Sequence, residues 1–148
     1  MSASAEQIRD QQRSTWDEFS AGWRKWDTEL LGWHQPFADA VIQEARLRPD
    51  SAVLDVAAGT GEPGLTAATL VPRGSVALLD LSAGMLRVAS EKTTARGLAN
   101  VNTVVGDAAA LPFADASFDV VLCRFGLMFF PRMTAAVGEM VRVAKPGA

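Results

Sequence analysis

Residues 52–64 read Ala52-Val-Leu-Asp-Val-Ala-Ala-Gly-Thr-Gly-Glu-Pro-Gly64. The first five are a short apolar run of the kind that fills a buried strand. Gly59, Gly61 and Gly64 follow at the G-x-G-x-x-G spacing of a turn that leads from a strand into a helix. Such glycines allow a tight turn and let a ligand lie against bare backbone. A carboxylate, Asp80, ends the next apolar run, where it suits a ribose diol because it accepts from both hydroxyls. By itself the spacing fits a nicotinamide dinucleotide as well as S-adenosylmethionine.

Charge separates the two ligands. A pyrophosphate on a helix N-terminus needs free N–H groups and no nearby anion. Here Asp55 precedes the turn and Glu62 lies inside it. Two carboxylates repel a pyrophosphate and favour a ligand with an ammonium, a sulfonium and no phosphate. An NAD-binding oxidoreductase is the disfavoured alternative.

Outward from the turn, strands and helices alternate. Residues 76–81 and 101–105 read as strands two and three, and 118–123 as strand four. Helices are expected from the turn to Val71, from the Ser82 N-cap to Arg96 with Gly97 at C′, and over 133–144. Ile8, Gln12, Thr15, Phe19, Trp23, Trp26 and Leu30 recur at helical spacing, with a break near Gly22. A second helix is expected to carry Pro36 in its first turn and to stop at Pro49. The alternation predicts an α/β fold with a parallel sheet, its cap in residues 1–48 and its binding half in 49–148.

Composition sets the outer limits. The 148 residues, 49% of them hydrophobic, suffice for one domain with a real core. A net charge of −3 without a basic run argues against nucleic acid as a partner. No apolar run reaches the ~18 residues of a membrane span. A single cysteine, Cys123, fits a reducing, cytoplasmic setting. One histidine and one cysteine cannot build a closed zinc site, so no metal is expected.

Four segments together resemble class I S-adenosylmethionine-dependent methyltransferases, closest to the ubiquinone/menaquinone-biosynthesis type and its small-molecule relatives. Val53-Leu-Asp-Val-Ala-Ala-Gly-Thr-Gly61 is similar to their first motif, and Asp80-Leu-Ser-Ala-Gly-Met-Leu86 to their second-strand motif. Gly106-Asp-Ala108, with Leu111-Pro-Phe113 and Ser117-Phe-Asp-Val-Val121, resembles the adenine loop and fourth strand. Glu139 to Gly147 resembles the segment before strand five. The resemblance implies a Rossmann-like core with strand order 3-2-1-4. It also implies S-adenosylmethionine as cofactor, S-adenosylhomocysteine as product and a small-molecule O, N or C acceptor. On that basis Asp55, Ala57, Gly59, Thr60 and Gly61 would line the methionine part, and Asp80 with Leu81 the ribose. Met85, Asp107 and Ala108 would meet the adenine, while Cys123 and Arg124 would face the methionine end and the acceptor. No catalytic base is assigned.

Structural readings stand beside these. Asp55 could cap the following helix, Asp80 and Asp107 could be turn residues, Met85 could be packing, and Arg124 could pair with a carboxylate. Glu139 and Arg142 read as a surface ion pair, and His34 as a bystander. Trp16, Trp23, Trp26 and Trp33 read either as a packed cap or as a lid over the cofactor.

The family continues into strands five to seven where this chain reaches Lys145-Pro-Gly-Ala148, so a truncated chain is expected, better suited to cofactor binding than to turnover. A non-catalytic binding module is therefore a second alternative. Strand four would then be an apolar edge open to pairing with a second copy, giving a two-fold dimer.

Overall fold

The computed structural model describes residues 3–148. Four parallel strands lie in the order β3-β2-β1-β4: β1 (Ala52–Val56), β2 (Ser75–Asp80), β3 (Val101–Val105) and β4 (Val120–Leu122). Five helices accompany them: α1 (Ala5–Lys25), α2 (Asp27–Glu44), α3 (Gly64–Leu70), α4 (Ala83–Ala95) and α5 (Met133–Val143). The expected strand order and fold class are those observed. No described helix is long and apolar enough to cross a membrane.

Alternation along each strand builds two cores. Val53, Val76, Leu78 and Leu122 point to one face and pack with Leu65 of α3, Val71 just after it, Leu86 of α4, and Val41 and Ile42 of α2. Leu54, Val56 and Leu79 point to the other and meet Ala136 and Val143 of α5 together with Leu111 and Phe118. Both faces of β1 are therefore covered, and Val53, Leu54 and Val56 are fully buried, as a central parallel strand requires.

Several boundaries differ from expectation. The second helix begins at Asp27 and carries Pro36 in its interior, and Trp26 alone separates it from α1. The indifference of α1 to Gly22 has a simple reason: a Cβ there would meet nothing within 4 Å, so the glycine marks open space rather than a break. Regular pairing of β4 covers only Val120–Leu122. Its preceding residue Phe118 instead makes an isolated parallel bridge to Ala144, with the Lys145 N–H donating to the Phe118 carbonyl at 2.9 Å. The expected open edge is thus partly taken by the chain's own segment after α5.

Glu139 and Arg142 do more than pair on the surface. Arg142 donates to the carbonyls of Leu111 (3.0 Å) and Phe113 (2.9 Å) and pairs with Asp115 and Glu139. Glu139 accepts from the Leu111 N–H at 2.8 Å. The two side chains clamp the long segment between β3 and β4 onto α5. Sequence spacing showed the pair but not the backbone groups it would satisfy.

At the other side α1 is fastened to α4 by Asp17, whose Oδ1 accepts from the Ser82 hydroxyl and from the Gly84 N–H at 2.9 Å. A Cβ on Gly84 would lie 2.8 Å from Ser20 Oγ, so α1 crosses the start of α4 without room for a side chain. Asp17→Ala removes an acceptor from that helix N-terminus. We expect it to lower unfolding free energy by about 1 kcal/mol, the usual cost of a lost cap, and to speed amide exchange at Gly84. Urea titration and exchange by NMR measure both.

Candidate cofactor site

The turns after all four strands converge on one cavity of about 320 Å³ at the carboxyl ends of the sheet, the position where open α/β sheets take ligands. Its floor is Ala57, Gly59 and Thr60 after β1, Asp80 and Leu81 after β2, and Asp107 and Ala108 after β3. The turn after β4 adds Arg124 and Phe125. Trp16 and Trp23 of α1, His34 of α2 and Phe129 form the roof.

Asp80 organises the floor. One carboxylate oxygen accepts from the Gly59 N–H at 2.8 Å and the other from the Ser82 N–H at 2.9 Å. Each oxygen keeps a further lone-pair direction. Burial raises its pKa above the ordinary carboxylate value, against the pull of these N–H donors.

Asp55 lies below the floor, not on it. It is fully buried, and its Oδ2 accepts from the Gly64 N–H at 2.8 Å, so it caps α3, while Oδ1 has no partner among the described residues. Gly61, too, lies off the cavity lining. Its φ of +107° and the 2.6 Å that a Cβ would leave to Leu65 Cδ1 require glycine for the turn itself. Cys123 is likewise off the lining, and burial together with the nearby Asp55 pushes its thiol up to about 11. A thiol so placed stays protonated and unreactive.

The other expected site residues line the cavity, with constraints the sequence did not show. Met85 is buried at the start of α4 yet reaches the wall. Asp107 Oδ1 accepts from the Ala109 N–H at 2.8 Å, a turn contact, and its Oδ2 lies 3.8 Å from Arg9 and 3.7 Å from Arg132. Arg124 donates to the Glu62 carbonyl through Nε and Nη2, and its buried Nη1 has no partner among the described residues. The tryptophans divide: Trp16 and Trp23 face the cavity, whereas Trp26 and Trp33 are 52% and 82% exposed.

Sequence reasoning missed Arg9, Gln12 and, within residues 125–130, Phe125, Gly126, Met128, Phe129 and Phe130 as walls of this chain's own cavity. The apolar run Phe125-Gly-Leu-Met-Phe-Phe130 after a strand was the available signal. Gly126 in that run is where the turns after β1 and β4 touch, since a Cβ there would sit 2.6 Å from Ala57 Cβ.

The start of α3 decides the ligand class. Pro63 has no N–H, and the Leu65 N–H donates to the Gly61 carbonyl. The Gly64 N–H is taken by Asp55, and the Thr66 N–H by Glu62 at 3.1 Å. Glu62 is itself held by Arg96 at 2.6 Å. The first turn of α3 therefore leaves no N–H for a phosphate, and the Glu62 carboxylate lines the cavity beside it.

A family profile described as a methyltransferase domain matches residues 53–147. The chain belongs to this family. Among curated proteins it is similar to the ubiquinone/menaquinone biosynthesis C-methyltransferase UbiE of Shewanella pealeana, 39% identical over 123 residues, covering 82% of this chain and 49% of that protein. The demethylmenaquinone methyltransferase of Geobacillus kaustophilus is 40% identical over 115 residues, covering 77% and 49%. This methyltransferase-domain chain spans about half the length of those relatives. The crystal structure of the YcgJ protein from Bacillus subtilis superposes with a TM-score of 0.72 at 34% identity, over 76% of this chain and 47% of that one. S-Adenosylmethionine is the cofactor this membership implies, and the phosphate-excluding turn, the Asp80 carboxylate and the cavity volume fit it.

Asp55 supplies a test of this electrostatic arrangement. Burial raises its carboxyl from the ordinary 3.8 to about 7, opposed by the Gly64 hydrogen bond and by Arg124. The folded state therefore binds this proton more tightly than the unfolded chain, and stability falls as pH rises from the lower value to the higher. Asp55→Asn keeps an acceptor for the Gly64 N–H without the charge. We expect it to gain on the order of 2 kcal/mol at neutral pH and to flatten the decline, leaving the contribution of Asp80 and, with the opposite sign, that of His34. Denaturant midpoints across that pH range check this.

Proposed function

We propose that this chain is the cofactor-binding part of an S-adenosylmethionine-dependent methyltransferase acting on a small aromatic acceptor that carries a hydroxyl group. The single observation that carries the choice of cofactor is the saturated N-terminus of α3, where Gly61, Asp55 and Glu62 take every available donor. The acceptor class is supported by the aromatic roof of Trp16, Trp23, Phe125 and Phe129 and by the quinone-pathway names of the relatives.

When bound, S-adenosylmethionine supplies a methyl carbon activated by positive sulfur. The chain's own groups bind and orient. In this reading Asp80 takes the ribose hydroxyls, Ala57, Gly59 and Thr60 offer backbone to the methionine part, and Met85, Asp107 and Ala108 frame the adenine. Residues 1–48 serve as the cap and 49–148 as the binding half. The aromatic roof keeps water from the reacting atoms, and holding donor and acceptor in line is where most of the rate is gained.

A cytoplasmic setting belongs to the same reading, supported by the lone, half-buried cysteine. A two-fold dimer through the outer edge of Val120–Leu122 also belongs to it. Light scattering that shows only monomer at high concentration rules the dimer out.

Calorimetry tests the core of the proposal. S-Adenosylhomocysteine is expected to bind and NAD not to bind, and equal affinity for both would overturn it. Asp80→Ala should weaken S-adenosylhomocysteine by roughly 1.5–3 kcal/mol, the range for a hydrogen bond to a charged group. Binding should change the fluorescence of Trp16 and Trp23, so Trp33→Phe keeps the signal and Trp23→Phe diminishes it. A cap that only packs would leave the emission constant.

A further inference from the structure

The cavity has two ends. The strand order β3-β2-β1-β4 places Asp107, after β3, at one end and Arg124, after β4, at the other, with Asp80 and Gly59 between. His34 sits at the β4 end. Its ring stacks on Trp23 at 6.1 Å and 18° and meets Phe125 edge-on at 5.7 Å, contacts that fix its plane. All three rings line the cavity. Neither imidazole nitrogen makes a hydrogen bond to the described residues, and neither is sealed from solvent, so both are open to a ligand in the cavity.

We propose that His34 is the group that takes the hydroxyl proton of the aromatic acceptor, at a subsite whose anion is held by Arg124. The inference rests on the methyltransferase reading and adds to it the base that the glycine motifs do not contain. In the step, the acceptor's O–H bond breaks, an imidazole N–H bond forms and the electron pair stays on oxygen. The resulting aryloxide lies between the imidazolium and the guanidinium of Arg124, which lines the same end of the cavity.

The charged groups lining the cavity are Arg9, Glu62, Asp80, Asp107 and Arg124. Burial first, and Arg124 second, hold the His34 pKa below its ordinary value. The imidazole is therefore neutral at neutral pH and free to accept a proton, as a general base must be. Once the aryloxide forms, its charge favours the imidazolium.

The chain has one histidine, so a single imidazole signal reports on it in NMR. The probe is 4-cyanophenol, added to the complex with S-adenosylhomocysteine at neutral pH, where the free phenol is mostly un-ionised. We expect the His34 signal to move to the imidazolium position and the bound probe to gain its phenolate absorbance. His34→Gln should lose the phenolate band. A probe that binds as the neutral phenol with the His34 signal unmoved overturns the proposal, as does a probe that does not bind the complex at all. Calorimetry with S-adenosylhomocysteine alone separates the two levels. No binding there overturns the cofactor reading and this one with it, whereas tight binding with an unresponsive His34 overturns only this one.

Discussion

The carboxylate of Asp80 is the tie on which the site depends. It accepts from Gly59 in the turn after β1 and from Ser82 at the start of α4. Ser82 in turn accepts from the Met85 N–H and donates to Asp17 on α1. One chain of hydrogen bonds thus runs from the glycine turn, through the second strand, to the helix that roofs the cavity. A buried carboxylate is costly unless its oxygens are satisfied, and here two backbone N–H groups do so while fixing the turn. The same bonds leave outer lone pairs toward the cavity, so the group that holds the fold is also available to a ligand.

A second constraint follows from the backbone N–H groups of α3. A helix N-terminus that ends at a ligand cavity offers orphan donors, and a dinucleotide fold spends them on pyrophosphate. This chain spends them on its own Asp55, Glu62 and the Gly61 carbonyl. The glycine spacing is shared by both kinds of site, and the carboxylates decide between them. Among the described residues Oδ1 of Asp55 and Nη1 of Arg124 are buried without a hydrogen-bond partner.

Placement of the aromatic side chains divides stability from function. Trp26 and Trp33 look outward, whereas Trp16, Trp23 and His34 form a wall with Phe125 and Phe129. Rings stacked in this way have little rotational freedom, so they present fixed faces at low entropic cost. Gly126 brings the turn after β4 against Ala57, which carries Phe125 and Arg124 to the same end of the cavity as His34.

The sequence by itself determined what local pattern and covalent spacing control. Alternating strand and helix segments implied the parallel sheet, the glycine turn the position of the cavity, and Asp55 with Glu62 a turn unsuited to a phosphate. Nine of the twelve expected site residues line the cavity, most of them at or just past the carboxyl end of a parallel strand. Tertiary structure alone decided which acidic groups face the ligand and which lie beneath it. Asp55 and Asp80 both follow apolar runs, yet the first turns under α3 and the second opens to the cavity. It alone decided that Glu139 and Arg142 would clamp residues 111–115, that Pro36 would sit inside a helix, and that two of four tryptophans would face inward. These outcomes depend on groups far apart in the chain, as for Trp16 against Phe129 and Arg142 with the Leu111 carbonyl. Periodicity records the face a residue occupies on its own helix or strand, and carries no information on the distant backbone groups that the face will meet.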